Sequence, residues 1–159
     1  MAQRALLLLA SLVVCFSITV SSAQANTSHA FGYDLARQLD RNQDDGQLNL
    51  SYQVSVGRRS ALVLGLADGD EYQVYEAGFK RYNERYLSGT FYQLGASYWR
   101  GDEADSNIGA DLRLGYEMPL TRWMVLSASI SGVYGIDHPT TGKKNELVIR
   151  PHLGVLLHF

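Results

Sequence analysis

The chain has one cysteine and three prolines. After Ala25 it has no tract near the ~18 consecutive apolar residues that mark a membrane-crossing helix. A single cysteine excludes an intrachain disulfide framework and a cysteine-based zinc cluster. Strong charge of one sign is also missing: 14 Lys and Arg stand against 16 Asp and Glu, a formal net charge of -2. Nucleic-acid-binding chains carry a basic face, and this one has neither a basic stripe nor a glycine-rich phosphate loop. No linker, low-complexity tract or fixed-period repeat divides the 159 residues, a length suited to one domain. What the chain does have is 15 glycines and 10 tyrosines.

Residues 1–25 have the build of a secretory signal peptide. Arg4 supplies the positive start, Ala5 to Ile18 form an apolar stretch broken only by Ser11 and Ser17, and Ala23-Gln24-Ala25 is a small-x-small cleavage pattern. The stretch is short for a permanent helical anchor, which needs ~20 apolar residues. Cys15 follows Leu12-Val13-Val14, but lipoprotein boxes want Gly, Ala or Ser where Val14 stands, so lipidation is not expected. The expected mature chain is Asn26 to Phe159, without cysteine.

Along that chain the dominant period is two, the period of a strand with one apolar and one polar face. Ile108, Ala110, Leu112, Leu114, Tyr116 and Met118 alternate with Gly109, Asp111, Arg113, Gly115 and Glu117. The final segment sets Leu147, Ile149, Pro151, Leu153, Val155, Leu157 and Phe159 against Glu146, Arg150, His152, Gly154 and His158. The same alternation runs from Leu48 to Val56, Thr90 to Tyr98 and Met124 to Ile130, and more weakly over 60–67, 72–82 and 30–39. These are eight expected strands. The connectors alternate as well: those near Gly57-Arg58, Asn83-Tyr86 and Pro119-Thr121 hold one acidic residue, Glu84, whereas those at Asp40-Gly46, Asp68-Glu71, Gly101-Asn107 and Gly135-Asn145 are mostly longer and acidic. Three connectors on one rim and four on the other suit an eight-stranded meander.

Alternation leaves two barrels open: a soluble, lipocalin-like one with the apolar face inside, and a membrane one with that face outside. Three features favour the second. Glycines on the polar face (Gly65, Gly78, Gly95, Gly109, Gly115, Gly154) would make room in a narrow lumen for long charged side chains. Aromatics gather near strand ends, Tyr98 and Tyr134 at the acidic-loop end and Tyr33, Tyr116, Trp123 and Phe159 at the other, like two interfacial girdles. A continuous apolar outer face would aggregate in water.

With its Ala23-Gln24-Ala25 cleavage pattern and an apolar-alternating last strand ending in Phe159, the chain resembles the small eight-stranded OmpA/OmpX-like outer-membrane barrels of Gram-negative bacteria. The resemblance covers the mature chain. It implies an all-β, up-and-down transmembrane barrel in the outer membrane, with both termini in the periplasm. It also implies outer-membrane lipid and lipopolysaccharide as surroundings, and a final strand read by the assembly machinery. Short acidic loops weigh against the adhesion roles of longer-looped relatives.

The expected lumen charges are Asp34, Glu76, Lys80, Asp111, Arg113, Glu117, Glu146 and Arg150, joined by His152 and His158. Eight strands leave an interior just wide enough for side chains to fill, so these charges should pair into a plug. A narrow channel or small-ligand carrier is the alternative. A lipid A-modifying hydrolase is the third reading, but the sequence has no His-x-Ser pair, and its nearest substitute is His138-Pro139-Thr140 in an expected loop. Catalysis and cofactors are therefore not expected. Asp40, Asn42, Asp44, Asp45 and Gly46 fail as an EF-hand loop, because Gly46 falls one place late and Ser51 stands where the bidentate Glu belongs. Asp68, Asp70, Glu71, Asp102, Glu103 and Asp105 are expected to form an acidic, solvated rim; holding divalent cations against lipopolysaccharide phosphates, which Lys143 and Lys144 can also touch, is the alternative. Arg58, Arg59, Arg81, Arg85 and Arg122 lie at the opposite turns. N-terminal sequencing of the exported protein is expected to begin at Asn26; a start at Met1 would remove the leader.

Overall fold

The computed structural model describes residues 27–39, 47–69, 72–101, 107–137 and 146–159. The proposed leader lies outside them, as do residues 40–46, 70–71, 102–106 and 138–145, which include most of the acidic rim, His138, Lys143 and Lys144. Eight strands run in order: β1 (His29–Asp34), β2 (Leu48–Gly57), β3 (Ser60–Asp68), β4 (Tyr72–Tyr82), β5 (Gly89–Gly101), β6 (Asn107–Pro119), β7 (Met124–Ile136) and β8 (Glu146–His158). One short helix, α1 (Leu35–Gln38), follows β1. Each strand pairs antiparallel with the next, and β1 returns to β8, with Ala30 opposite His158 and Asp34 opposite Gly154. The result is a closed up-and-down barrel, so no strand edge is left to pair with another chain.

The register keeps each face whole. Leu62, Phe79, Leu94 and Leu112 lie side by side on four successive strands, as do Leu66, Tyr75, Tyr98 and Ile108 at another level. These are outward positions: Ile108 is 72% exposed and Ile149 61%, while Lys80 is 5% exposed and Glu117 0%. The apolar face is outside and the polar face inside. Three connectors (58–59, 83–88, 120–123) form a turn rim, and four form a loop rim.

Two expectations change. The strand expected over 30–39 stops at Asp34, whose carboxylate accepts the Ala36 N–H at 3.0 Å and so caps α1. Leu35, Ala36, Arg37 and Gln38 are good helix formers without β-branching, and Leu39 N–H closes the turn on the Leu35 carbonyl at 3.2 Å. Tyr33 therefore stands at the loop end of β1, not at the turn end, and its hydroxyl bonds Gln38.

The lumen glycines also serve more than charges. Gly65 lies beneath Glu76, where a Cβ would come 3.1 Å from the carboxylate. At Gly109 a Cβ would meet Ile136 and Val133, and at Gly154 the Tyr33 carbonyl. At Gly95 it would press into the Ala77 carbonyl and come 2.9 Å from Gly78 Cα, so β4 and β5 approach there too closely for any side chain. Gly135, at φ +93, carries the register shift that returns Ile136 to the interior.

Gly95→Val is expected to lower unfolding stability in urea by ~1–3 kcal/mol, the usual cost of overpacking. Gly57→Ala, with nothing within 4 Å of the added carbon, should stay within ~0.5 kcal/mol of the parent. Equal effects of the two would remove the close-approach argument.

Candidate functional site in the barrel lumen

The interior is layered. At the loop rim Ala67, Tyr72, Val74, Trp99, Val133, Ile136 and Val148 form an apolar cap. At the turn rim there are two smaller clusters, Ala30, Leu87, Val125 and Leu156, and Ala61, Tyr82 and Phe91, with Tyr86 packed against both. Leu87 reaches its place because the 83–88 connector folds inward: Tyr86 N–H donates to the Arg58 carbonyl at 2.9 Å, and its hydroxyl to the Gln53 carbonyl at 3.2 Å. Leu87 is left at φ 62, a conformation that costs a branched residue about 1–2 kcal/mol and that its burial offsets.

Between the caps lie the charges. In the half nearer the turns, Lys80 Nζ donates to Glu117 Oε1 at 2.6 Å and to Gln53 Oε1 at 3.2 Å. The Tyr82 hydroxyl donates to the other Glu117 oxygen at 2.9 Å, and the Phe91 ring lies 4.0 Å from Nζ. Nearer the loops, Glu76 takes Arg113 on one oxygen at 3.0 Å and Arg37 on the other. Arg150 donates to the Tyr72 hydroxyl at 2.6 Å and Gln47 Oε1 at 3.3 Å, and its guanidinium lies over the Trp99 ring.

Among the described side chains the lumen thus holds four cations, Arg37, Lys80, Arg113 and Arg150, and four carboxylates, Asp34, Glu76, Asp111 and Glu117. Asp111 is buried within reach of the field of Arg113, although its Oδ1 has no hydrogen-bond partner. Glu146 opens β8 opposite Ile136, and its side chain lies outside the described residues. His158 faces inward near the turn rim. Arg37 was not among the expected lumen charges, because a strand over 30–39 hides it; the signal was Asp34 as a helix cap ahead of a run without β-branching.

Asp34 and His152 were expected in the lumen, but their meeting with Ser131 was not. Ser131 Oγ hydrogen-bonds His152 Nε2 at 2.8 Å, and His152 Nδ1 meets Asp34 Oδ2 at 2.5 Å. The order is that of a serine nucleophile, a base and an orienting carboxylate. Asp34 is held in turn by the N–H groups of Ala36 and Leu153. Acyl transfer further needs a substrate path to the hydroxyl and donors for the oxyanion. Ser131 is 2% exposed and His152 7%, between the two caps, so the arrangement laces β7, β8 and β1 together without opening to a substrate. No spacing in the sequence announces it, since Asp34 lies 118 residues before His152. Among the described residues no group of three or more His, Asp or Glu converges as a metal site.

The crystal structure of the N-terminal β-barrel domain of Pseudomonas aeruginosa OprF matches this chain with a TM-score of 0.59 at 14% identity, covering 84% of this chain and 96% of that domain. This is the fold of the small OmpA/OmpX-like barrels. No protein-family model and no curated protein matches the chain. At such low identity the feature shared with that domain is the closed eight-stranded frame. The lumen chemistry has to be read from this chain's own residues.

Lys80→Met strands the fully buried Glu117 carboxylate and is expected to cost ~3–5 kcal/mol in urea unfolding. Lys80→Met with Glu117→Gln should recover most of that loss, because a neutral amide still accepts from Tyr82. A double variant as unstable as the single would show that the ion pair is not the source.

Proposed function

We propose that the chain is an outer-membrane β-barrel with a structural or surface-interaction role, without catalysis, its lumen plugged by paired charges. The observation that carries this reading is the inverted distribution of side chains: an apolar coat outside, and balanced charge between two apolar caps inside. In water that coat would be an aggregation surface; in hydrocarbon it is the surface a closed barrel needs. Seven of the strands have nine to thirteen residues, enough to cross a bilayer at a tilt, which takes ~9–11. Exposed aromatics at both rims, Tyr75, Tyr98 and Tyr134 at one and Tyr92, Tyr116 and Trp123 at the other, suit two headgroup zones.

On this reading the loop rim faces outward and the turn rim, with both chain ends, faces the periplasm. The surroundings are outer-membrane lipid and lipopolysaccharide, and the assembly machinery reads the strand ending in Phe159. The expected behaviour is fractionation with outer membranes, with different gel mobility in boiled and unheated samples. In a planar bilayer the purified barrel should show no discrete conductance. Recovery as a soluble periplasmic protein would overturn the membrane reading, and a steady open pore would replace the plug with a channel.

A further inference from the structure

We propose that the turn rim of the barrel is a docking surface for the phosphate headgroups of anionic phospholipids. The inference rests on the membrane reading above and adds a ligand class and a site to it. Arg58 and Arg59 form the β2–β3 turn, Arg81 is the last outward-facing residue of β4, and Arg85 lies in the next connector. All four are exposed, and none makes an ion pair among the described residues. The one acidic side chain in the three connectors of this rim, Glu84, accepts the Ser88 hydroxyl at 3.2 Å.

The fold gathers these cations instead of dispersing them. The Arg58 carbonyl accepts Tyr86 N–H at 2.9 Å, the Arg59 carbonyl accepts Tyr82 N–H at 2.8 Å, and the Arg85 carbonyl accepts Ser88 N–H at 3.0 Å. The first two bonds clamp the β2–β3 turn onto the end of β4 and the β4–β5 connector, and so keep the backbones of Arg58, Arg59, Arg81 and Arg85 together on one side of the rim. Like charges gathered on one rim repel until an anion enters, and the guanidinium fork matches a phosphate in two-point contact. Pre-ordering by the backbone lowers the entropic cost of binding.

The position favours a lipid over a soluble acid. Trp123 is 57% exposed at the same rim, and Tyr92 and Tyr116 point outward there. Amphipathic rings settle at headgroup depth, which puts the arginines level with the phosphates. Arg81 lies beside Tyr92 in register, so its side chain leaves the barrel wall sideways, toward the bilayer.

The test uses the barrel folded into nanodiscs of phosphatidylcholine and phosphatidylglycerol, followed by native mass spectrometry of the lipids that stay bound. The parent protein should retain phosphatidylglycerol in preference to phosphatidylcholine, and the preference should fall at high salt. Each arginine near a charged surface is worth about fivefold in partition, so Arg58→Gln/Arg59→Gln/Arg85→Gln should lower the preference by at least about tenfold. Arg100→Gln, at the loop end of β5, should leave it unchanged. A folded, inserted parent without the preference would sink the inference and leave the barrel reading intact, and that is also the outcome expected if the rim serves a soluble acidic partner. An unchanged preference in the triple variant would equally overturn it. A chain that fails to insert, judged by gel mobility, overturns both.

Discussion

The seam between the first and last strands is the constraint on which the rest depends. His29 and Phe159 exchange backbone hydrogen bonds at 3.1 and 3.0 Å, and the pairing continues to Asp34 opposite Gly154. β1 has only six residues, yet it turns an open sheet into a cylinder. Closure satisfies the strand backbones and assigns every side chain to one of two environments, outside or lumen. His29, Phe31, Tyr52 and Phe159 pack their rings together over the seam, so the joint is held by side chains as well as backbone.

Once the cylinder is closed its interior has a fixed radius, and the polar faces must fill it without leaving charge unpaired. Glu76 does so by taking Arg113 from β6 and Arg37 from α1; Glu117 does so by taking Lys80 and Tyr82 from β4. Burying an ion pair costs about as much desolvation as its attraction returns, so such pairs add little net stability. Their effect on pairing is larger. A one-residue slip of β4 would turn Glu76 and Lys80 outward and Tyr75 and Phe79 inward, losing both the pairs and the apolar coat. The apolar caps at the two rims enclose this layer and strengthen every interaction in it.

α1 is where the strand pattern gives way. Asp34 stops being a strand residue because its carboxylate finds the Ala36 N–H, and the same carboxylate bonds His152. The short helix then turns Arg37 toward Glu76, supplying a second cation to a carboxylate that β6 alone would leave with one. A residue pattern of period two has no means of showing this, since capping is a local event and the partners lie on distant strands.

The sequence by itself determined the architecture. A period of two decides which residues share a face and marks eight strands, of which only β1 ends early; the glycines on the polar face and the aromatics near strand ends point Lys80, Arg113, Glu117 and Arg150 inward, and acidic content sorts the connectors between rims. Tertiary structure alone decided who meets whom. Ser131, His152 and Asp34 come together because β7, β8 and β1 are neighbours around a closed cylinder. Leu87 becomes a plug, and the rim arginines a cluster, because backbone bonds fold the β4–β5 connector against Arg58 and Arg59. Alternation is a property of one strand and can be read along it. Height in the barrel and proximity across the lumen depend on the register of all eight strands at once, and no single segment carries that information.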